Sequence, residues 1–313
     1  NNLYHNICFK FRCYKNVKDT SVTAQFKIKK TPASFGLFDG AVYLLAWTTT
    51  PWTLPSNTAL AVNKNVDYVL VKTINQYTKK PVIVVLAEKL LGSVFSSPYM
   101  PLGSELEASK EHSFEVVKTI KGKDLVGLSY EQLMPLASPF EKPEAAFKII
   151  HGDFVSTEDG TGIVHTAPTF GADDAKVAAD AGVPPLLVKD EQGNLVPLVD
   201  LRGKFRPELA DPMFGFGEEY IKAEYLTDEE KEAELAKQQM LLKPIIPELK
   251  AYLSVDERIA LKLKLENKAF KIEKYEHSYP HCWRDETPLL NYGTTSWFVK
   301  VTDIKDDLVA KNN

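Results

Sequence analysis

Residues 46–57 read "AWTTTPWTLPSN", with Thr48, Thr49 and Thr50 in a row before Pro51, Trp52 and Pro55. A hydroxyl both donates and accepts a hydrogen bond, so three of them at a strand end would suit a ribose or an ester. Trp52 would wall such a pocket, and the two prolines would stiffen it. Threonine is also β-branched and suits a half-exposed strand end for purely structural reasons.

The second chemistry-bearing stretch is "EDGTGIVHTAPTFGADD", residues 158–174. His165 lies in a strand pattern. Asp173 and Asp174 fall in the first turn of an Ala-rich helix, where carboxylates complement the helix dipole. Gly160, Gly162 and Gly171 bracket the histidine and the helix start and would admit a ligand close to the backbone. A strand end followed by a helix start could bring His165 and Asp174 to one cleft. His165 with Asp173 and Asp174 could also offer imidazole and carboxylate to a metal, as could His277, His281, Cys282 and Asp285 in "HSYPHCWRD". Neither set has the spacing of a closed four-ligand site. Nucleophile-elbow, phosphate-loop and paired-cysteine zinc motifs are absent.

The elements that must position these groups can be read from patterning. Strands are expected at 21–30, 40–49, 67–74, 81–87 and 114–120, the pair 67–74/81–87 as a hairpin. Segments 147–155 and 162–167 read as two strands joined by the turn-forming "STEDGT". A short helix is expected at 88–95 and an Ala-rich helix at 171–182, ended by Gly182 and the prolines beyond it. A further hairpin surrounds Gly193. Two helices open on capping boxes, Thr227 with Glu230 and Ser254 with Glu257, and are expected to form a helical appendage. Arg258, Lys262, Lys264, Lys268, Lys271 and Lys274 make a basic run that is either a solvated face or a stripe facing nucleic acid. The aromatic, irregular segment 279–301 ends in "SWFVKV", which reads as a strand. The fold class expected is mixed α/β (α+β), strand-rich and barrel-like, with peripheral helices.

The 313 residues are 44% hydrophobic and 26% charged, with a net charge of -4. This is soluble globular composition, and it argues against attachment to nucleic acid by bulk charge alone. Cys8, Cys13 and Cys282 are too few and too odd for a disulfide framework. With no signal peptide and no apolar run of membrane length, a cytoplasmic location is expected and no membrane partner. The chain begins at Asn1 rather than Met and is expected to be an excised or processed piece.

"WTTTPWTLPSN" with "GTGIVHTAPTFGADD" resembles the editing domain of isoleucyl-tRNA synthetase, the insertion called connective peptide 1, in the class I aminoacyl-tRNA synthetase family. "YPHCWRDETPLLNYGTTSWF" looks like the segment in which that insertion returns to the synthetase core. The resemblance covers residues 17 to 302 and implies three parts: a connecting ribbon at 1–34, an editing domain at 35–275 (strand-rich core 35–200, helical appendage 215–272) and a returning segment at 276–313. It implies post-transfer editing, the hydrolysis of mischarged Val-tRNA(Ile). It assigns Thr48, Thr49 and Thr50 to the loop that binds the terminal adenosine and the misplaced amino acid. Trp52 and Asn57 border that pocket. His165 is assigned to discrimination and to the terminal ribose, and Asp174 to the α-ammonium group. Thr49, His165 and Asp174 are the residues it places nearest the reaction. The partners implied are the 3′ end of tRNA(Ile) and the remainder of the synthetase. The aminoacylation motifs are absent, so no cofactor is expected here; ATP and Mg would belong to the full-length enzyme. "CWRD" stands where some relatives carry a zinc-binding C-x-x-C, so no metal is expected. A non-catalytic tRNA-docking insertion and a metal-dependent hydrolase using His165 with Asp173 and Asp174 are the alternatives.

Overall fold

A computed structural model describes residues 13–36, 40–96, 100–101, 113–293 and 301–312. Its main sheet begins with β1 (Tyr14–Lys27), whose character changes midway. From Tyr14 to Asp19 exposed and half-buried residues alternate, and from Thr20 to Phe26 every residue is buried. From Tyr14 to Ala24 β1 pairs with β12 (Ala269–Pro280), antiparallel from Tyr14↔Pro280 inward to Ala24↔Ala269, with a bulge between Thr23 and Ala24. Thus a two-stranded ribbon runs directly into the core.

There β1 pairs with β2 (Val42–Thr48), placing Thr48 opposite Val22. β2 runs parallel to β5 (Pro81–Ala87), which forms the expected hairpin with β4 (Asp67–Ile74). β7 (Ser113–Lys121) and the short β6 (Met100–Pro101) complete the order β12-β1-β2-β5-β4-β7-β6. The apolar runs are continuous because much of the sheet is covered on both faces. Val42, Leu44, Leu70 and Val85 point into the main core, while Leu45, Val69, Val71 and Val84 meet Phe95 and Phe270 on the other side. Phe95 follows the one-turn helix α1 (Leu91–Val94).

A second sheet has the order β8-β3-β9, with β3 (Ala59–Val62) between β8 (Lys148–His151) and β9 (Ile163–Thr166). This corrects the expectation that 147–155 and 162–167 join each other. β3, four buried residues of "ALAV", supplies an apolar centre that neither strand could have found in the other. Leu60 and Val62 face the main core, and Ala59 and Ala61 face the helix α2 (Ala172–Asp180) through Ala178. β10 (Leu187–Lys189) and β11 (Leu195–Pro197) form the hairpin around Gly193.

Mixed α/β architecture holds, but the described strands close no barrel: β12 and β6 are the two edges of an open sheet. The appendage also needs correction. Both capping boxes form, at α3 (Asp228–Leu241) and α4 (Val255–Leu265). α4, however, buries Val255, Ile259 and Leu263 in the main core. The basic run that starts on it is mixed: Lys264 is exposed, and the run continues on β12 to an exposed Lys274. Arg258 is fully buried and paired with Glu219. Lys262 bridges Asp211 (2.9 Å) and Glu266 (2.7 Å), and Lys274 bonds Glu257 at 2.8 Å. Of the expected strand 296–301, residues 296–300 lie outside the described residues, and α5 (Val301–Asn312) begins at its last residue.

Candidate active site

β2 ends at Thr48, and the next two residues turn the chain. The Thr48 hydroxyl accepts from the Thr50 amide at 3.1 Å and lies 3.2 Å from the Thr50 hydroxyl. Such a side-chain-to-backbone bond is how threonine stabilises a tight turn. Thr48 is buried, while Thr49 and Thr50 are half-buried. Pro51 then starts a short 3-10 helix, Pro51–Ser56, every residue of which is buried. Proline suits that first position because its missing N–H would have had no partner there. The Trp52 amide, still orphaned, donates to Oδ1 of Asp256 on α4 at 2.8 Å.

One turn into this helix, the Thr53 hydroxyl donates to the Thr50 carbonyl at 2.8 Å and lies 2.9 Å from Nε2 of His165. Thr53 has a single proton, already given to Thr50, so the ring nitrogen must be the donor in the second contact. Nδ1 is then the acceptor, facing Nδ2 of Asn57 at 3.3 Å. Asn57 is itself fixed by the Ala59 carbonyl at 2.8 Å and by the Tyr130 hydroxyl, which donates to its Oδ1 at 2.6 Å. Burial lowers the His165 pKa to about 4, so the ring is neutral near neutral pH. Both its nitrogens are engaged inside the protein. This arrangement suits a group that holds the threonine turn rather than one that takes up a proton.

Asp174 is the third residue of α2, and its Oδ2 accepts from the Ala167 amide at 2.8 Å. Ala167 follows His165 by two positions, so both lie on one face of the chain leaving β9. A Cβ at Gly171 would stand 2.9 Å from the Asp174 carboxyl carbon, so glycine makes room for the side chain to fold back. Burial raises the Asp174 pKa to about 6, against the lowering effect of the Ala167 amide and with a further push from Asp173.

The turn after β2 and the loop after β9 therefore converge. Thr53 touches His165, and the Trp52 ring meets Phe170 edge-on with centroids 5.0 Å apart. Thr48, Thr50, Trp52 and Asn57 lie on the turn and the 3-10 helix after it, and His165 meets that segment through Thr53 and Asn57. Asp174 meets the loop after β9 at Ala167. Asp173 lines a cavity of about 590 Å³ with His151, Phe154 and Lys176. His277 pairs with Asp19 at 3.1 Å and His281 contacts the Tyr279 carbonyl at 2.9 Å. Among the described residues no group of three His, Cys, Asp or Glu side chains could hold a metal ion. No described helix is long and apolar enough to cross a membrane.

Three residues of the junction went unnoticed in the sequence. Thr53 stands three residues after Thr50, one 3-10 turn, which was a readable cue. Tyr130 and Asp256 reach the site only through tertiary packing and carry no local signature.

Relatives of the chain fall in one class, the aminoacyl-tRNA ligases. It is 56% identical over 301 residues to the isoleucine--tRNA ligase of Cytophaga hutchinsonii, matching 96% of this chain and 25% of that protein. The Bacteroides fragilis isoleucine--tRNA ligase is 45% identical over 306 residues, again over 96% of this chain and 26% of its own length. That of Clostridium tetani is 38% identical over 300 residues, 96% of this chain and 22% of the relative. The chain belongs to the isoleucyl-tRNA synthetase family, and it spans about a quarter of the length of the curated relatives it matches. No family model matches it. Among solved structures, GlLeuRS-CP1 aligns with 82% of this chain and 100% of its own at 16% identity and a TM-score of 0.44. The P. knowlesi cytosolic leucyl-tRNA synthetase editing domain aligns with 53% of this chain and 64% of its own, at 17% identity and a TM-score of 0.41.

Proposed function

We propose that this chain is the editing domain of an isoleucyl-tRNA synthetase and hydrolyses mischarged Val-tRNA(Ile). The observation that carries the reading is the convergence on the end of β9 of a hydroxyl-bearing turn and a half-buried carboxylate.

The chemical need is clear. Valine lacks one methylene of isoleucine, and a pocket gains only about 1–3 kcal/mol from such a group, a magnitude for which isoleucyl-tRNA synthetases are themselves the standard case. A second site that admits only the smaller product restores the missing discrimination. In that site the substrate's α-ammonium pairs with Asp174. With a pKa of about 6 the carboxyl is ionised at neutral pH, and a desolvated carboxylate gains most from a cationic hydrogen-bond partner. Thr49 and Thr50 are accessible enough to contact the terminal adenosine and the ester. His165 acts through Thr53 as a positioning residue, keeping the Thr50 carbonyl and the turn in place. Water adds to the ester carbonyl carbon, the carbonyl–ribose oxygen bond breaks, and free valine and the tRNA hydroxyl leave. No side chain at the junction is an activated nucleophile, so a water attack is preferred to a covalent intermediate.

Hydrolysis of Val-tRNA(Ile) by the purified chain tests the reading. Asp174→Ala should reduce the rate at least a hundredfold. An undiminished rate would remove Asp174 from the site.

A further inference from the structure

Asp256 lies 204 positions from Trp52 in sequence, yet its Oδ1 accepts the Trp52 amide at 2.8 Å. The 3-10 helix that follows the threonine turn has no side-chain cap of its own, and the Trp52 amide is its first free donor. Asp256 supplies the missing acceptor from the first turn of α4, where the helix dipole favours a carboxylate. The group is 6% exposed. Lys222, 4% exposed, lies 3.8 Å from its other oxygen and 3.4 Å from Asp19 on β1, with the Tyr279 ring of β12 4.7 Å from the ammonium. Asp19 in turn meets His277 at 3.1 Å. A buried chain of charges thus runs from the β1–β12 ribbon to the backbone of the threonine turn.

We infer that Asp256 is a positioning residue for the editing reaction, holding the Thr48–Thr50 turn in its reactive geometry through the Trp52 amide, with Lys222 fixing the carboxylate in place. This rests on the editing reading above. A buried carboxylate facing a backbone amide and a lysine is costly unless both contacts are made. A core that needed only filling would be served by an apolar residue. The contact falls two residues beyond the hydroxyls proposed to meet the substrate, so loosening it would displace them without removing any group that touches the ester.

The test uses the 313-residue chain in two parallel measurements. Amide hydrogen exchange is followed at Trp52 and, as a reference for global stability, at Leu70 of β4. Asp256→Ala should accelerate Trp52 exchange at least tenfold relative to Leu70, whereas Asp256→Asn, which keeps a carbonyl acceptor, should stay below that mark. In single-turnover and steady-state deacylation of Val-tRNA(Ile), Asp256→Ala should lower kcat at least tenfold with KM changed less than threefold, and Asp256→Asn should recover most of kcat. A smaller exchange effect, or a full kcat in Asp256→Ala, would overturn the inference. Should Asp256→Ala fail to fold, Asp256→Asn decides: replacing the charged acceptor by a neutral one should move the Trp52 amide proton resonance upfield at alkaline pH, and an unmoved resonance would overturn the inference. If the wild-type chain deacylates nothing, the editing reading fails while the exchange measurement still decides whether Asp256 anchors the turn.

Discussion

The hydroxyl of Thr53 lies 2.9 Å from Nε2 of His165 and spends its own proton on the Thr50 carbonyl. The histidine is thereby tied to the turn it was expected to accompany, through a residue between them. Thr53→Val keeps the shape and removes both bonds. A buried ring N–H left unpaired costs about 1–3 kcal/mol. Urea unfolding should show a loss of that size, and deacylation should fall more than tenfold because the turn is freed. A variant as stable and active as the parent would mean that the contact does not organise the site.

His165 also sets an acid limit. Its folded pKa of about 4 lies below the ordinary 6.5, so the unfolded chain binds the extra proton between those values. Stability from this residue is full above pH 6.5 and is lost as pH falls towards 4, on the order of 3 kcal/mol in all. Asp174 and Asp256, whose pKa values are raised, act in the opposite sense over part of that window. The difference between the parent and His165→Gln isolates the imidazole. The parent should lose more stability than the variant on going from pH 6.5 to 4; parallel curves would contradict a neutral buried ring.

Asp174 should trade stability against activity. Its raised pKa means that the folded chain holds the proton more tightly, so stability falls as pH rises from 3.8 through about 6. Asp174→Asn should therefore be more stable than the parent at pH 7.5, by on the order of 1 kcal/mol after allowance for partial exposure, and nearly inactive. For the parent, kcat/KM should rise as the carboxyl ionises near pH 6 and fall as the substrate's amino group loses its proton, at about 7.7–8.0 for an ordinary α-amine. A rate independent of pH between 5 and 7 would count against the ion pair.

Thr49 is the half-buried middle residue of the turn. Thr49→Arg adds bulk and positive charge where the ester and an ammonium are proposed to sit. Deacylation should drop at least a hundredfold while the urea midpoint changes little, since surface substitutions usually stay within about 0.5 kcal/mol. Parent-like hydrolysis would place the pocket elsewhere.

How much of this was legible in the sequence depended on the range of the interactions. The hairpin of 67–74 with 81–87 and both capping boxes depend on neighbours in sequence, and they stand as read. β3 escaped notice because "ALAV" has neither alternation nor a turn of its own; only β8 and β9, far along the chain, make it a strand. α4 looked peripheral because its lysines and Arg258 suggest a wet face, yet Glu219 pairs with the buried Arg258, and Asp211 and Glu266 pair with Lys262. At the site, Thr48–Thr50, His165 and Asp174 were visible as residue types. Thr53, Tyr130 and Asp256, which orient the turn, Asn57 and the Trp52 amide, could emerge only once the chain was folded.

The proposed sieve is tested most directly by the hydrolysis of Val-tRNA(Ile) and Ile-tRNA(Ile) side by side with the purified chain. An editing domain of this kind should deacylate the valyl ester well above the spontaneous rate and leave the isoleucyl ester at least tenfold more slowly cleaved. Equal rates on the two esters, or no hydrolysis of either, would contradict it.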